Sequence, residues 1–301
     1  MGEILHTPYD GSAVPFTIGL AQLEEKDWIE DGADFTVYIQ EKLNLYKVMP
    51  DKVIVSDEAS LAAQREVLAM LCAFLPARFP DRYQQQGDVM KVAGLADVQL
   101  DTTALPPLAV AGLLVQEDLV LMRKSAEGWR LSSASVCFPS AWDLVEKFRK
   151  PLGEIHGHVP GFATGTRNAA LIDRMFDNLS PGRMVIRWNW SLNDTPALYL
   201  PLSKHGVKRR FGADSHLADK VFIRLERQTF RKMPLSSDVL FTIRTHVNPL
   251  EDLEGRPDAA ALANSLERLL MNMSIDEARY KSIEHERERL VARLRLISGR
   301  R

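Results

Sequence analysis

The sequence is sparing with the residues that carry most recognisable cofactor chemistry. Only two cysteines, Cys72 and Cys137, occur among its 301 residues. They stand far apart and match no zinc, iron–sulfur or CxxC spacing, which argues against a cysteine-held cluster and for a reducing compartment. No GxGxxG, P-loop, GxSxG or HExxH segment is present, so the common dinucleotide, ATP and hydrolase motifs are excluded. Gly161, Thr164, Gly165 and Thr166 make an ordinary loop rather than a phosphate cradle. No apolar run reaches the roughly 18 residues that mark a membrane span. The first residues lack the basic and apolar regions of a signal peptide. Neither sign of charge dominates: 38 Lys and Arg stand against 40 Asp and Glu, for a net charge of −2. That balance offers no electrostatic attraction for nucleic acid or for an anionic membrane. A cytoplasmic location, with no nucleic-acid or membrane partner, is the expectation.

What is present is ordinary globular material, with a hydrophobic fraction of 46% and a charged fraction of 26%. A chain of this length buries a core without disulfide staples. Apolar spacing predicts an acidic helix over residues 20–46 and a second over 56–74, stopped by Pro76 and Pro80. The period then changes. A hairpin is expected over 113–122, turning at Gln116 to Asp118, and a strand over 129–138. A short helix follows over 142–148 and another over 171–179. Alternating segments at 183–192, 221–230 and 239–247 read as strands. Helices over 257–273 and 275–296 finish the chain. Helices, then strands with inserted helices, then helices favour an α+β fold over a doubly wound parallel sheet.

Four segments carry a more specific pattern. The first is Val136-Cys137-Phe138-Pro139-Ser140-Ala141-Trp142-Asp143-Leu144. The second is Lys150-Pro151-Leu152-Gly153-Glu154-Ile155-His156-Gly157-His158-Val159-Pro160-Gly161. The third is Arg187-Trp188-Asn189-Trp190-Ser191-Leu192, with Pro196-Ala197-Leu198-Tyr199 behind it. The fourth is Arg224-Leu225-Glu226-Arg227-Gln228-Thr229-Phe230, followed by Leu240 to Thr245. Together, and in this order, they resemble the haem-dependent oxidative N-demethylases over roughly residues 15–255. This chain departs from the family at Ala141, where a bulkier basic residue or a glycine is usual, and at His158, where many members have another residue.

The resemblance implies one haem-binding domain over 1–301. It comprises a helical N-terminal part (15–85), a PAS-like antiparallel core (about 100–250) and C-terminal helices (257–297). It implies b-type haem as cofactor, with O2 and a small methylated amine such as dimethylamine as substrates. Formaldehyde would be released. Electrons would come from an external NADPH-dependent reductase subunit carrying flavin and an iron–sulfur centre, since this chain has neither fingerprint. A haem-binding PAS-like sensor or interaction subunit without turnover is the alternative.

His156 is the first candidate for the iron ligand, because a neutral imidazole donates a lone pair to iron. The plain reading is a histidine bonding its own loop. His158, two residues on, is a rival ligand or a distal group. Cys137 could supply a thiolate, although a small core residue is the commoner role of such a cysteine. Arg187, Arg224, Arg227 and Arg244 are candidates for the haem propionates, against a reading as cross-strand ion pairs. Glu226, Tyr199 and Trp190 are candidates for holding a methylated ammonium through charge and aromatic faces. Aromatics at strand spacing are more often plain core.

Overall fold

The computed structural model describes residues 4–12, 16–201 and 221–300. It is α+β, as the order of elements predicts. In chain order the strands are β1 (Ala21–Leu23), β2 (Ile54–Ser56), β3 (Tyr83–Gln86), β4 (Val89–Val92), β5 (Val98–Gln99), β6 (Asp118–Ser125), β7 (Gly128–Ser135), β8 (Met184–Asn193), β9 (Phe222–Lys232) and β10 (Val239–Pro249). The helices are α1 (Phe35–Val48), α2 (Pro50–Val53), α3 (Leu61–Arg78), α4 (Pro107–Gly112), α5 (Leu144–Lys147), α6 (Leu152–Ile155), α7 (Arg167–Asn178), α8 (Ala259–Asn272), α9 (Ile275–Tyr280) and α10 (Arg287–Ile297). Seven strands form one antiparallel sheet in the order β1-β8-β9-β10-β6-β7-β2, and β3, β4 and β5 form a small second sheet.

Both faces of the large sheet are covered. Leu119, Leu121 and Leu240 point to one face, where they meet Val67, Leu71 and Leu75 of α3 and Phe35 and Ile39 of α1. Further along that face Leu192, Ile223 and Leu225 meet Leu262, Leu266 and Leu270 of α8 and Leu290 and Leu294 of α10. The opposite face carries Val120, Met122, Leu131, Phe230 and Phe241 against Ile172 and Phe176 of α7 and Leu152 of α6. We call the first the helical face and the second the insert face, because α5, α6 and α7 are inserted between β7 and β8. The stretch Glu58–Arg78 is long and apolar enough to cross a membrane by length and composition alone. In the fold its apolar side is committed to the core.

Several boundaries differ from the sequence expectation, each for a physical reason. The turn expected at Gln116–Asp118 lies instead at Ala126 and Glu127, between β6 and β7. The polar triplet reads as a turn but is fully buried. Gln116 Oε1 accepts from the Gly32 amide at 3.0 Å, and Glu117 Oε1 accepts from the Glu30 amide at 3.0 Å. The acidic helix expected from residue 20 divides into β1, a single 3-10 turn over Glu25–Asp27 and α1. Gly32 lies in the loop before α1, where a Cβ would stand 2.5 Å from Asp34 Oδ1 and 3.0 Å from Gln116 Oε1. The last expected helix breaks into α9 and α10 at a turn where Ser282 takes φ +57.

A buried charged pair ties α1 to the sheet. Lys42 is fully buried, and its Nζ donates to the carbonyls of Gly112, Val115 and Glu117 at 2.5–3.0 Å. Asp118 starts β6 and accepts from the amides of Cys137 and Phe138, both at 2.8 Å. Burial lowers the Lys42 pKa and pushes Asp118 up to about 6, each opposed by the charge of the other.

Two outcomes follow. Lys42→Met strips three carbonyls of their donor and leaves Asp118 without its cation, so urea unfolding should show a loss of about 3–5 kcal/mol. A loss under about 1 kcal/mol would contradict this role. Asp118 holds its proton in the folded state at a pH where the unfolded carboxyl, near about 3.9, has released it. Stability should therefore fall as pH rises from about 4 to about 6, and Asp118→Asn should lack that component.

Candidate functional site

Alternation along β8 and β9 sorts the candidate residues by face. Arg187 pairs across the strands with Gln228, Asn189 with Glu226, and Ser191 with Arg224. All of these point to the insert face, while Trp188, Trp190, Leu225 and Arg227 point to the helical face. Glu226 is 5% exposed. Its Oε2 accepts from Asn189 Nδ2 at 3.0 Å and from Gln228 Nε2 at 2.8 Å. Arg187 is beside it. Burial depresses the Arg187 guanidinium's pKa and the Glu226 charge opposes that. Its Nη2 reaches the Thr17 carbonyl at 3.4 Å, and its Nε is buried with no hydrogen-bond partner among the described residues. Thr245 pairs across β10 with Glu226 and has a buried Oγ1 in the same condition.

Tyr280, at the end of α9, closes over this row. Burial and then the Glu226 charge push its hydroxyl up to about 12, with Arg187 opposing. Phe16 stacks edge-on against Tyr280 at 5.8 Å, and Lys281 Nζ stands 5.3 Å from the Phe16 ring. Lys281 also donates to the buried Trp190 carbonyl of β8, beyond the stretch that pairs with β1.

Phe16 also lines a cleft of 560 Å³, opposite Gly157, His158, Val159, Pro160 and Gly161 and beside the start of α9. His156 caps α6, with its amide bonded to Leu152 O at 2.9 Å and its carbonyl accepting from Val159 at 2.8 Å. The ring is half-buried and lies 6.4 Å from Phe162. His158 is exposed and faces the cleft. Phe16 links the two parts of the insert face: it lines the cleft with His158 and packs on Tyr280, which lies within electrostatic reach of Glu226 and Arg187.

The remaining candidates lie elsewhere. Cys137 is fully buried among Tyr38, Val53, Ala109 and Phe138. Burial, then the Asp118 charge, raises its thiol well above the usual range, which opposes the thiolate that iron would need. Arg224 is spent on the chain itself. Its Nε donates to Ser140 Oγ at 2.6 Å, Nη1 to Ala197 O at 3.0 Å, and Nη2 to Phe138 O and Leu198 O at 2.8 Å. It clamps the 138–140 and 197–198 segments together. Next to that clamp Ala141 sits at φ +60, the left-handed region that favours glycine. Tyr199 packs at the margin of the Cys137 cluster, its hydroxyl pKa raised by burial and then by Asp143. Trp190 faces away from Glu226 into the α8 cluster, 6.5 Å from Tyr9.

Arg227 and Arg244 lie on the helical face. Arg227 donates to the Trp28 carbonyl at 3.0 Å and to the Asp27 carbonyl, and its Nε is 3.3 Å from Glu30 Oε1. Arg244 pairs with Asp34 at 2.7 Å and stacks over Tyr38 at 4.2 Å. Burial alone would raise Glu30, but hydrogen bonds from His246 and His6, with the Arg227 charge, hold it well below the usual carboxylate range.

Sequence reasoning missed Phe16 and Tyr280 as walls of the insert-face site, and it missed the His6–Glu30–His246 group. None carries a spacing signal, since each meets its partners only through the tertiary fold.

Haem requires a slot, an axial donor and cations for its carboxylates. The cleft falls within the roughly 300–1,000 Å³ of cofactor pockets. His158 lines that cleft, His156 belongs to the loop that forms its wall, and Arg187 on the same sheet face has a buried Nε with no partner among the described residues, so donors of the kinds haem needs are present, although Asp276 and Glu277 also line the cleft. Residues 19–291 match the family described as haem-dependent oxidative N-demethylase, alpha subunit-like. With most of its length matched, the chain belongs to that family.

Thiol reactivity checks the reading of Cys137. In the folded protein an aromatic disulfide reagent should modify Cys72 slowly, its thiol pushed up to about 11 by burial, and leave Cys137 untouched. Both should react in denaturant. Rapid stoichiometric modification of Cys137 in the native state would contradict the reading.

Proposed function

We propose that this chain is the haem-carrying, catalytic subunit of a cytoplasmic oxidative N-demethylase acting on a small secondary amine such as dimethylamine. The observation that carries this reading is the buried Glu226 beside Arg187, on the same sheet face as the His156–Gly161 loop. An antiparallel sheet with short helices inserted over one face is the layout a PAS-like cofactor domain needs. His156 would hold the iron, and Arg187 would meet a propionate. When bound, b-type haem supplies the activation of O2 that lets a methyl leave as formaldehyde.

The chain's own residues do the rest. Glu226 is held by two amide donors, so its carboxylate keeps a fixed direction as it pairs with the substrate ammonium. Tyr280 and Phe16 cover the row and keep bulk water from it, which strengthens that pairing. Trp190 and Tyr199 support the site's frame from outside it. Electrons come from a separate NADPH-dependent reductase subunit with flavin and iron–sulfur centres, consistent with the two isolated cysteines here.

The test is formaldehyde release from dimethylamine with haem, NADPH and the reductase supplied. Glu226→Gln should raise KM for the amine about tenfold or more, since it removes a charge-assisted contact worth about 1.5–3 kcal/mol. His156→Ala should lose haem and turnover together. Turnover unaffected by both variants would overturn the assignment, and haem binding without consumption of any methylated amine would favour a sensor.

A further inference from the structure

On the helical face, away from Glu226, three side chains from remote parts of the chain meet. His6 belongs to the N-terminal segment, Glu30 to the loop before α1, and His246 to β10. His6 Nε2 lies 2.7 Å from Glu30 Oε1, and His246 Nε2 lies 2.9 Å from Glu30 Oε2. The three donor atoms, one from each residue, all lie within 4.8 Å of one another.

We propose that His6, Glu30 and His246 form a site for a divalent transition metal of the zinc class, separate from the haem site. Tetrahedral ligands at about 2.0–2.1 Å from zinc stand about 3.3 Å apart. The two His–Glu contacts, to different carboxylate oxygens, are shorter than that, and the three donor atoms stand within 4.8 Å, so the rings and the carboxylate shift to reach it. Two imidazole nitrogens and one carboxylate are a donor set shared by open zinc sites and non-haem iron sites.

The ligands are held from behind. The Glu30 amide donates to Glu117 Oε1 at 3.0 Å, and the His6 ring rests on Trp188 with centroids 4.5 Å apart. Arg227, 3.3 Å from Glu30, competes for the carboxylate. That disfavours magnesium or calcium, which bind through oxygen alone, and leaves metals with strong imidazole affinity. Three protein ligands leave one position open. The three residues line a cleft of 580 Å³ together with Trp188 and the cationic Lys26, Arg78, Arg227 and Arg244, and there a water or a small anion would complete the coordination. Without metal, the same residues make a hydrogen-bonded network that pins the N-terminal segment to the sheet.

Zinc titration of the chelator-treated full chain, by calorimetry and by elemental analysis after dialysis, separates the two states. The site predicts about one zinc per chain. It also predicts affinity at least about tenfold weaker in His6→Ala and in His246→Gln, since even an outer partner of a metal ligand costs that much. Haem content counted in the same samples should stay unchanged in His6→Ala, which sets this site apart from the iron site. Absence of zinc uptake, or equal affinity in the wild type and both variants, would overturn the proposal. Where His246→Gln fails to fold, His6→Ala decides the matter alone, because its half-buried side chain lies outside the core.

Discussion

Side chains alternate across β9, and both faces of the sheet are buried. A strand that reads Arg224, Leu225, Glu226, Arg227, Gln228 therefore cannot hide its charges on a solvated side. Each charge must find a partner within the fold, since an uncompensated buried ion costs several kcal/mol. Arg224 finds carbonyl and hydroxyl oxygens in two loops. Glu226 finds two amides, and Arg227 finds Glu30 with two carbonyls. Arg187 finds the charge of Glu226 and the Thr17 carbonyl, while its Nε is left without a hydrogen-bond partner among the described residues. Arg244, on the helical face, likewise keeps a buried Nε without a partner among the described residues.

The same alternation explains why the candidate residues do not make one site. Arg187 and Glu226 share a face with the His156–Gly161 loop, whereas Arg227 and Arg244 sit behind the sheet with Glu30 and His246. The connection that carries α5, α6 and α7 reaches across the insert face only because β7 and β8 are not neighbours in the sheet. It brings Ile155 and Val159, on either side of the imidazoles, into one apolar cluster with Val185 of β8. Membership of the haem-dependent oxidative N-demethylase family gives that arrangement its chemical sense.

The sheet was legible because β8, β9 and β10 alternate plainly. Their observed bounds fall close to the predicted ones, and the charged row along β9 was visible before any fold was known. The hairpin was misplaced because Gln116-Glu117-Asp118 has turn composition while serving as buried hooks for the 30–34 loop and the Cys137 turn. Local composition cannot distinguish a solvated turn from polar residues consumed by distant backbone. The start of α1 was hidden for a related reason, as Gly32 is required by contacts with Asp34 and Gln116 rather than by its neighbours in sequence. His156 and Glu226 could be proposed as site residues from the family pattern. That Arg187 rather than Arg224 is left with an unpaired nitrogen could not, because it depends on which loops fold back to meet them.

The central claim is that the insert face, with its imidazoles and its under-satisfied Arg187, grips an iron porphyrin. The most direct measurement is the visible spectrum of the purified chain as haemin is added in steps. The account predicts a Soret band that grows and then saturates near one haem per chain. A preparation that shows only the broad absorbance of free haemin throughout the titration would contradict it.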